Sequence, residues 1–374
     1  MISDFTFITS AEKTDVGLKR KNNEDSIISL PQFGVYCVAD GMGGVQDGEV
    51  ASQAVVDTLE ECYVTGSDSA SAITARASAN IVIMAFNKAS KWVEDRSHEK
   101  GLKGCGSTAV AIVFDKVMPD RAMVLHAGDS RAYRLRNKKL QQLNTDHSVA
   151  AEAGIADEND LPPMLRGVIT RAVGLNAVVD VEETPVEVKA DDIYLLCSDG
   201  LSRMLNDKKI CSLIKKNQKK SNSEVVDILI DSALKAGGKD NVSVILMRVA
   251  SDLPEGPLMA IPEDTLRLES MDLAAVVEPG GDAALSHDDD ESYTGDTVTG
   301  QTHFDDGVAE CSTPASESDE MDIMTPHETP AKGALSPEIN VSGGTSKVLI
   351  LISGVLLVLI IAAAVAAALY FKKN

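Results

Sequence analysis

The first 250 residues predict a mainly antiparallel α+β domain, and three observations carry that reading. Short apolar runs rich in β-branched residues, such as 108–114 and 242–249, have the length of strands. Turn and hairpin signals join many neighbouring runs, which suits antiparallel pairing, whereas parallel strands need long crossovers. Longer stretches with apolar residues at helical spacing lie between them, so helices and strands interleave in one chain.

Taken in order, residues 5–10 and 26–30 read as strands flanking a polar loop, Lys19-Arg20-Lys21-Asn22-Asn23-Glu24-Asp25. Residues 33–39 form a buried strand that ends abruptly on Asp40 and three glycines, Gly41, Gly43 and Gly44. Helical spacing covers 48–64, with Val50, Ala54, Val55, Leu59 and Cys62 on one face. It covers 71–93 as well, with Ile73, Ile81, Met84, Ala85 and Trp92 on the buried side. Residues 94–106 are polar and contain glycine, which reads as a loop. Strands follow at 108–114, 121–127 and 131–136, with Asn137-Lys138 as a hairpin turn. The mixed pattern of 146–180, broken by Pro162-Pro163, reads as a mobile subdomain or flap. Strands at 181–188 and 193–198, helices at 207–217 and 223–236, and a strand at 242–249 complete the domain.

Composition changes at residue 251. Between 251 and 346 there are 22 acidic residues against two basic ones, Arg267 and Lys332, so most of the net charge of −22 lies there. Acidic sequence rich in Ser, Thr, Pro and Gly cannot bury enough apolar surface to offset its ordering entropy, so 251–346 is expected to be a disordered linker. Within it, 258–277 carries Leu266, Leu268, Met271, Leu273 and Val276 and reads either as a short docking helix or as plain linker. Residues 347–371 are the expected membrane span. The uncharged part, 348–371, would reach about 36 Å as a helix at ~1.5 Å per residue, enough for a bilayer core of about 30 Å. A short basic tail, 372–374, follows, so the expectation is a single-pass C-terminal anchor. The six cysteines show no CxxC spacing and mostly sit in apolar runs, as expected of reduced, buried thiols. The N-terminus lacks a basic region followed by a long apolar core. Two lysines beyond the span against one before it mildly favour the opposite orientation, but the missing signal and the buried thiols outweigh them, so the domain is expected in the cytoplasm. With no basic stripe interleaved with aromatics, nucleic acid is not an expected partner.

Chemistry concentrates at strand ends. Asp40, Asp129 and Asp199 each follow an apolar run, and Asp240 precedes the last strand. Carboxylates brought together repel, and divalent cations relieve that repulsion; all-oxygen donors favour magnesium or manganese over zinc or copper. Any single Asp-Gly pair also reads as an ordinary turn, as Asp47-Gly48 and Asp306-Gly307 do.

In series, however, the motifs resemble those of the PPM family of metal-dependent Ser/Thr protein phosphatases (type 2C), in its bacterial form. The residues that carry the resemblance run in the family's order over about 10–250. They are Arg20-Lys21-Asn22-Asn23-Glu24-Asp25-Ser26, Ala39-Asp40-Gly41-Met42-Gly43-Gly44, Gly48-Glu49-Val50-Ala51-Ser52 and Gly106-Ser107-Thr108. Gly128-Asp129-Ser130-Arg131, Asp146-His147-Ser148, Thr170-Arg171-Ala172-Val173-Gly174, Ser198-Asp199-Gly200 and Lys239-Asp240-Asn241 follow.

The resemblance implies a four-layer αββα sandwich, two antiparallel sheets flanked by helices, with two or three divalent cations, manganese or magnesium, at one end. It implies that Asp40 bridges two cations, that the Gly41 carbonyl binds one, and that Asp199 and Asp240 complete the second site. Glu24 and Asp25 would act through water, and Asp129 with Asp199 would hold a third cation. A water between two cations becomes acidic enough to attack phosphorus as hydroxide. Arg20 would hold the phosphoryl oxygens in a bidentate grip, and with Asp25 and Asp40 it makes up the expected catalytic set. The implied substrates are phosphoSer and phosphoThr proteins, and the implied counterpart is a Ser/Thr protein kinase. The alternative is a scaffold of the same fold that binds metal or phosphoproteins with little turnover. Two positions depart from the pattern. Met42 stands where many eukaryotic members have a proton-donating histidine, leaving His126 and His147 as candidate substitutes, and Val45 stands where bacterial members often have histidine.

Overall fold

The computed structural model describes residues 5–43, 47–65, 73–101, 104–155 and 158–271. The expected span at 347–371 and all but the first part of the expected linker lie outside these residues. Among the described residues no helix is long and apolar enough to cross a membrane.

The elements are β1 (Ile8–Asp15), β2 (Asp25–Leu30), β3 (Val35–Met42), α1 (Asp47–Glu60), α2 (Ala75–Lys100), β4 (Gly106–Ser107), β5 (Ala109–Phe114) and β6 (Arg121–Ala127). β7 (Arg131–Arg136), β8 (Lys139–Gln142), α3 (Val149–Glu152), β9 (Glu182–Glu187), β10 (Ile193–Cys197) and α4 (Asp199–Ser202) come next. α5 (Asp207–Lys216), α6 (Asn222–Lys235), β11 (Val242–Val249) and α7 (Glu263–Glu269) close the series. One sheet has the order β1-β11-β10-β7-β8, the other β2-β3-β5-β6-β9, with β4 paired to the end of β3. Every strand pairing between them is antiparallel, so the predicted α+β class with two antiparallel sheets is what forms.

The unbroken apolar run of β5 is explained by a sheet covered on both faces. Val110, Ile112 and Phe114 point into a core shared with the other sheet, where they meet Tyr36, Val38, Tyr194, Leu196, Ile245 and Met247. Ala109, Ala111 and Val113 point the other way, onto α1 and α2 through Val55, Leu59, Ile81, Val82, Ala85 and Phe86. The period of two along a strand produces this division. The second sheet repeats it: Ile193, Leu195, Cys197, Val244 and Leu246 face α5 and α6 through Ile210, Ile214, Val225 and Leu229. Phe114 joins the layers by edge contacts to Tyr36 and Tyr194, with ring centroids 6.1 and 5.5 Å apart.

Four expectations need correction. The first strand occupies Ile8–Asp15 and not 5–10, because an edge strand can carry exposed Glu12 and Thr14 while its backbone pairs with β11 along its length. The second helical stretch does not stop at 93. It continues to Lys100 and closes on Gly101, which adopts the left-handed conformation and donates to the carbonyls of Ser97 and His98. Its last turns are polar because they emerge into solvent, although Val93 and Ser97 stay buried. The first helix ends at Glu60 and widens into a π-turn, Glu61–Thr65, in which buried Tyr63 donates to the Ser78 carbonyl at 2.9 Å. Finally, the packed region does not end at 250. Residues 251–271 lie on the domain: Leu258 N–H donates to the Val117 carbonyl, and α7 buries Thr265 and Leu268 against α2, where Asn80 caps the Leu268 carbonyl. The Asn137-Lys138 turn stands as predicted, both residues having positive φ (50° and 65°).

Candidate active site

The carboxylates are brought together by strand register. Antiparallel pairing of β2 with β3 sets Asp25 opposite Asp40. Asp129 lies in the turn between β6 and β7, Asp199 opens α4 just after β10, and Asp240 sits just before β11. Asp25 is buried and accepts hydrogen bonds from Ser198 Oγ (2.8 Å) and Ser243 Oγ (2.7 Å), which tie the end of one sheet to the start of the other. The Asp40 backbone is fixed by Thr108: its N–H donates to Thr108 Oγ1 (3.2 Å) and its carbonyl accepts from Thr108 N–H (2.9 Å).

Burial and mutual repulsion dominate the electrostatics. Burial, and then the charges of Asp25, Asp199, Asp129 and Asp240, hold the Asp40 carboxyl well above the usual carboxylate range. Burial likewise lifts Asp25 to about 6, against hydrogen bonds from Ser243 and Ser198 that lower it. It lifts Asp199 to about 7, against the lowering charge of Arg203. Burial also raises Asp129 and Glu24, which Arg203 and Arg20 respectively oppose.

Two arginines partly neutralise the cluster. Arg203 lies one helical turn beyond Asp199 and bridges Asp199 Oδ2 (2.9 Å) and Asp129 Oδ2 (3.1 Å). Arg20 places Nη2 2.9 Å from Asp240 Oδ2 and Nη1 3.7 Å from Glu24 Oε2. The expected phosphate ligand therefore rests on the carboxylates beside it. Gly41 N–H donates to the Glu24 carbonyl at 3.0 Å, which brings the Glu24 loop onto β3.

All the expected site residues, Arg20, Glu24, Asp25, Asp40, Gly41, Asp129, Asp199 and Asp240, thus converge. The sequence reading missed their supports. Asn241 accepts from Glu24 N–H (2.8 Å) and donates to the carbonyls of Val16 and Asn22 (both 2.9 Å), stapling the Arg20–Glu24 loop to β11. Arg203, Ser198, Ser243 and Thr108 were missed as contacts, although the spacing from Asp199 to Arg203 was a readable signal. A cavity of about 420 Å³ opens beside Asp129, Asp199 and Arg203, with Asp146, Arg131 and Ser148 on its far wall. His126 and His147 do not offer themselves as proton donors. They are buried and stacked 4.2 Å apart; His126 Nε2 is held by the Thr145 carbonyl and His147 bridges Gly128 N–H and Glu182.

The residues fit divalent cations. Asp129 Oδ1 and Asp199 Oδ1 are buried with no hydrogen-bond partner, an arrangement costly to a carboxylate unless a cation completes it. The donor set is carboxylate and backbone carbonyl, the hard oxygen ligands of magnesium and manganese.

A pH dependence follows for the cation-free protein. A carboxyl whose pKa is higher in the folded than in the unfolded state stabilises the fold at low pH, and that contribution is lost as pH rises through the folded value. Asp25 and Asp199 start from 3.8 and move to about 6 and about 7, so the loss falls between those limits. The melting temperature of EDTA-treated protein is expected to drop by roughly 5–10 °C from about pH 5 to about pH 8, with manganese removing most of the drop. The Asp199→Asn variant should flatten the EDTA curve. A wild-type curve that is already flat in EDTA would contradict the argument.

Comparison with known proteins agrees with this geometry. The family model described as Protein phosphatase 2C matches residues 19–229. The serine/threonine phosphatase stp of Listeria welshimeri is 31% identical over 243 residues, covering 63% of this chain and 93% of that protein. The serine/threonine protein phosphatase PstP of Mycobacterium tuberculosis is 36% identical over 244 residues, 64% of this chain but 44% of PstP. A crystal structure of the PstP catalytic domain in complex with two manganese ions superposes with a TM-score of 0.55 at 32% identity, covering 65% of this chain and 98% of that one. PppA of Pseudomonas aeruginosa gives 0.57 at 30% identity, covering 65% and 98%. With more than half its length matched by the family model and its carboxylates gathered at the ends of two antiparallel sheets, this chain belongs to the protein phosphatase 2C family.

Proposed function

We propose that this protein removes phosphate from phosphoserine and phosphothreonine in proteins, with two or three divalent cations, manganese or magnesium, held at the carboxylate centre. The observation that carries the reading is the pair of unpartnered buried oxygens, Asp129 Oδ1 and Asp199 Oδ1, within a cluster of five aspartates. Asp40, the Gly41 carbonyl, Asp199 and Asp240 would hold two cations, Asp129 would share a third with Asp199, and Glu24 and Asp25 would act through water. Cations bound there supply electrostatic stabilisation of the phosphoryl group and lower the pKa of water to near neutrality.

The chain's own residues do the rest. Arg20 is about half exposed, bonds Asp240 and lies 3.7 Å from Glu24, so it can turn its planar fork to two phosphoryl oxygens. Ser198 and Ser243 both donate to Asp25 Oδ2 and so fix the orientation of that carboxyl beside Asp40. Met42 carries no proton, and both histidines are buried, with His126 Nε2 on the Thr145 carbonyl and His147 between Gly128 and Glu182, so the leaving alkoxide takes its proton from water. Beyond the described residues, the acidic stretch would tether the domain to a membrane anchored at 347–371, with the domain in the cytoplasm opposing a Ser/Thr kinase.

The test is hydrolysis of an aryl phosphate and of a phosphothreonine peptide by the purified full chain, with and without manganese. Cation-dependent turnover of both is expected, with Asp199→Asn losing on the order of 10²–10³-fold and binding manganese more weakly by calorimetry. Undiminished turnover and manganese affinity in that variant would overturn the assignment.

A further inference from the structure

We propose that the groove between α5 and the β7–β8 hairpin docks an acidic, extended segment of the protein substrate, away from the phosphorylated residue. The proposal rests on the phosphatase reading for its function, and on its own observations for its location.

The hairpin turn is drawn onto α5 by Cys211 Sγ, 3.7 Å from the Lys138 carbonyl. Between them lies a cavity of about 460 Å³. Leu140, Cys211 and Ser212 form its floor, and Lys208, Lys215 and Lys216 stand exposed around it. The stretch 207–224 carries six lysines, all exposed, in a domain whose first 250 residues hold 30 basic against 35 acidic side chains. Its two acids are already engaged: Asp207 accepts from Tyr133 Oη (3.0 Å), and Glu224 caps α6 and pairs with Lys220.

Helix stability does not account for this charge. Lys215 and Lys216 suit the negative end of the α5 dipole, but Lys208 and Lys209 sit in its first turn, where positive charge is unfavourable. A charge maintained against the dipole points to an external anion. The lining then selects the partner: an open, mostly apolar depression ringed by lysines takes a polypeptide carrying acids around an apolar side chain, whereas lysines without that apolar patch would suit a bilayer.

The groove also adjoins the chemistry. Asp207 at its edge is held by Tyr133, whose hydroxyl takes a hydrogen bond from Arg131 Nη1 (3.1 Å). Arg131 clamps Asp146 with Nε and Nη2, at 2.9 and 2.6 Å, on the wall of the cavity beside Asp129 and Asp199. The groove is therefore joined to the wall of that cavity by a partly buried hydrogen-bond chain, Asp207–Tyr133–Arg131.

The experiment compares the full chain with a Lys208→Glu/Lys215→Glu/Lys216→Glu variant and with the corresponding triple Gln variant. The substrates are an aryl phosphate and two phosphothreonine peptides, one neutral and one joined through a Gly-Ser spacer to a run of glutamates and one leucine. Wild-type protein is expected to favour the acidic peptide roughly fivefold in kcat/KM at low salt, through KM, with the preference fading at high salt. Both variants should lose the preference while hydrolysing the aryl phosphate as wild type does. Equal use of the two peptides by wild type, or a preference that survives in both variants, would overturn the proposal. So would variants that lose binding to phosphatidylglycerol vesicles while keeping their peptide preference, since that result assigns the lysines to a membrane. If wild type with manganese hydrolyses none of the substrates, the phosphatase reading fails separately. Anisotropy of a labelled unphosphorylated acidic peptide then still decides the groove: binding lost in the variants supports it, and equal binding overturns it.

Discussion

Replacing Asp40 with asparagine is expected to abolish turnover, by on the order of 10³-fold, and at the same time to raise the melting temperature of the cation-free protein. Both halves have the same cause. The Asp40 carboxyl lies among the charges of Asp25, Asp199, Asp129 and Asp240, and burial with this repulsion keeps it well above its ordinary pKa. Asparagine has the same shape, keeps the backbone contacts to Thr108 Oγ1 and Thr108 N–H, and can donate its amide N–H to Asp25 in place of the carboxyl's hydrogen bond. It removes a carboxyl that must either ionise among its neighbours or take up a proton on folding, a gain of about 1–2 kcal/mol and a few degrees in melting temperature. The same charge is what would hold two cations, so the gain should vanish when wild-type protein is measured in manganese. Calorimetric melting with EDTA and with manganese, beside kcat/KM on an aryl phosphate, checks both halves. A variant that keeps a tenth of the activity, or that melts lower than wild type in EDTA, would refute the account.

The aspartates were legible in the sequence because their signal is local. A carboxylate ending an apolar run is anomalous in the run itself, and several such anomalies in one chain point to one place. What was not legible depends on long-range closure. Asn241 looks like half of a turn dipeptide until the fold brings it to Glu24, 217 positions earlier, and the Ser198 and Ser243 hydroxyls meet Asp25 only when the two sheets stack. Arg20 is the phosphate ligand that the resemblance implies; the structure shows it on Asp240, a contact that no local pattern contains. The fold divides in the same way. Strands with continuous apolar runs, such as β5 and β10, were found where they lie, because each is buried on both faces. β1 and the end of α2 were misplaced because an edge strand and an emerging helix carry polar residues that backbone pairing tolerates. The sequence of α7 is compatible with helix and with linker, since one turn of apolar residues in acidic sequence decides nothing until α2 offers a surface for Leu268.

Gly41→Ala should cost as much turnover as Asp40→Asn, yet shift stability in the opposite direction. Gly41 does not have a left-handed backbone; what it supplies is space. A methyl group there would lie 2.0 Å from the Gly48 carbonyl oxygen and 2.5 Å from that of Glu24, both backbone atoms that cannot rotate away. To admit it, the first turn of α1 and the Glu24 loop must separate from β3, which breaks the Gly41 N–H bond to Glu24 and displaces the carbonyl expected to bind a cation. Overpacking of this kind costs about 1–3 kcal/mol when side chains can yield, and more when only backbone can move. The expected result is a melting temperature lower than wild type by roughly 5–10 °C in EDTA, little rescue by manganese, and turnover reduced on the order of 10³-fold. Neighbouring substitutions with the same loss of activity would then move stability in opposite directions, one by removing charge and the other by filling space. Circular dichroism of the Gly41→Ala protein should still report the α+β fold. If its manganese affinity and melting temperature match wild type, the close approach of three backbone segments at Gly41 is not what builds the site.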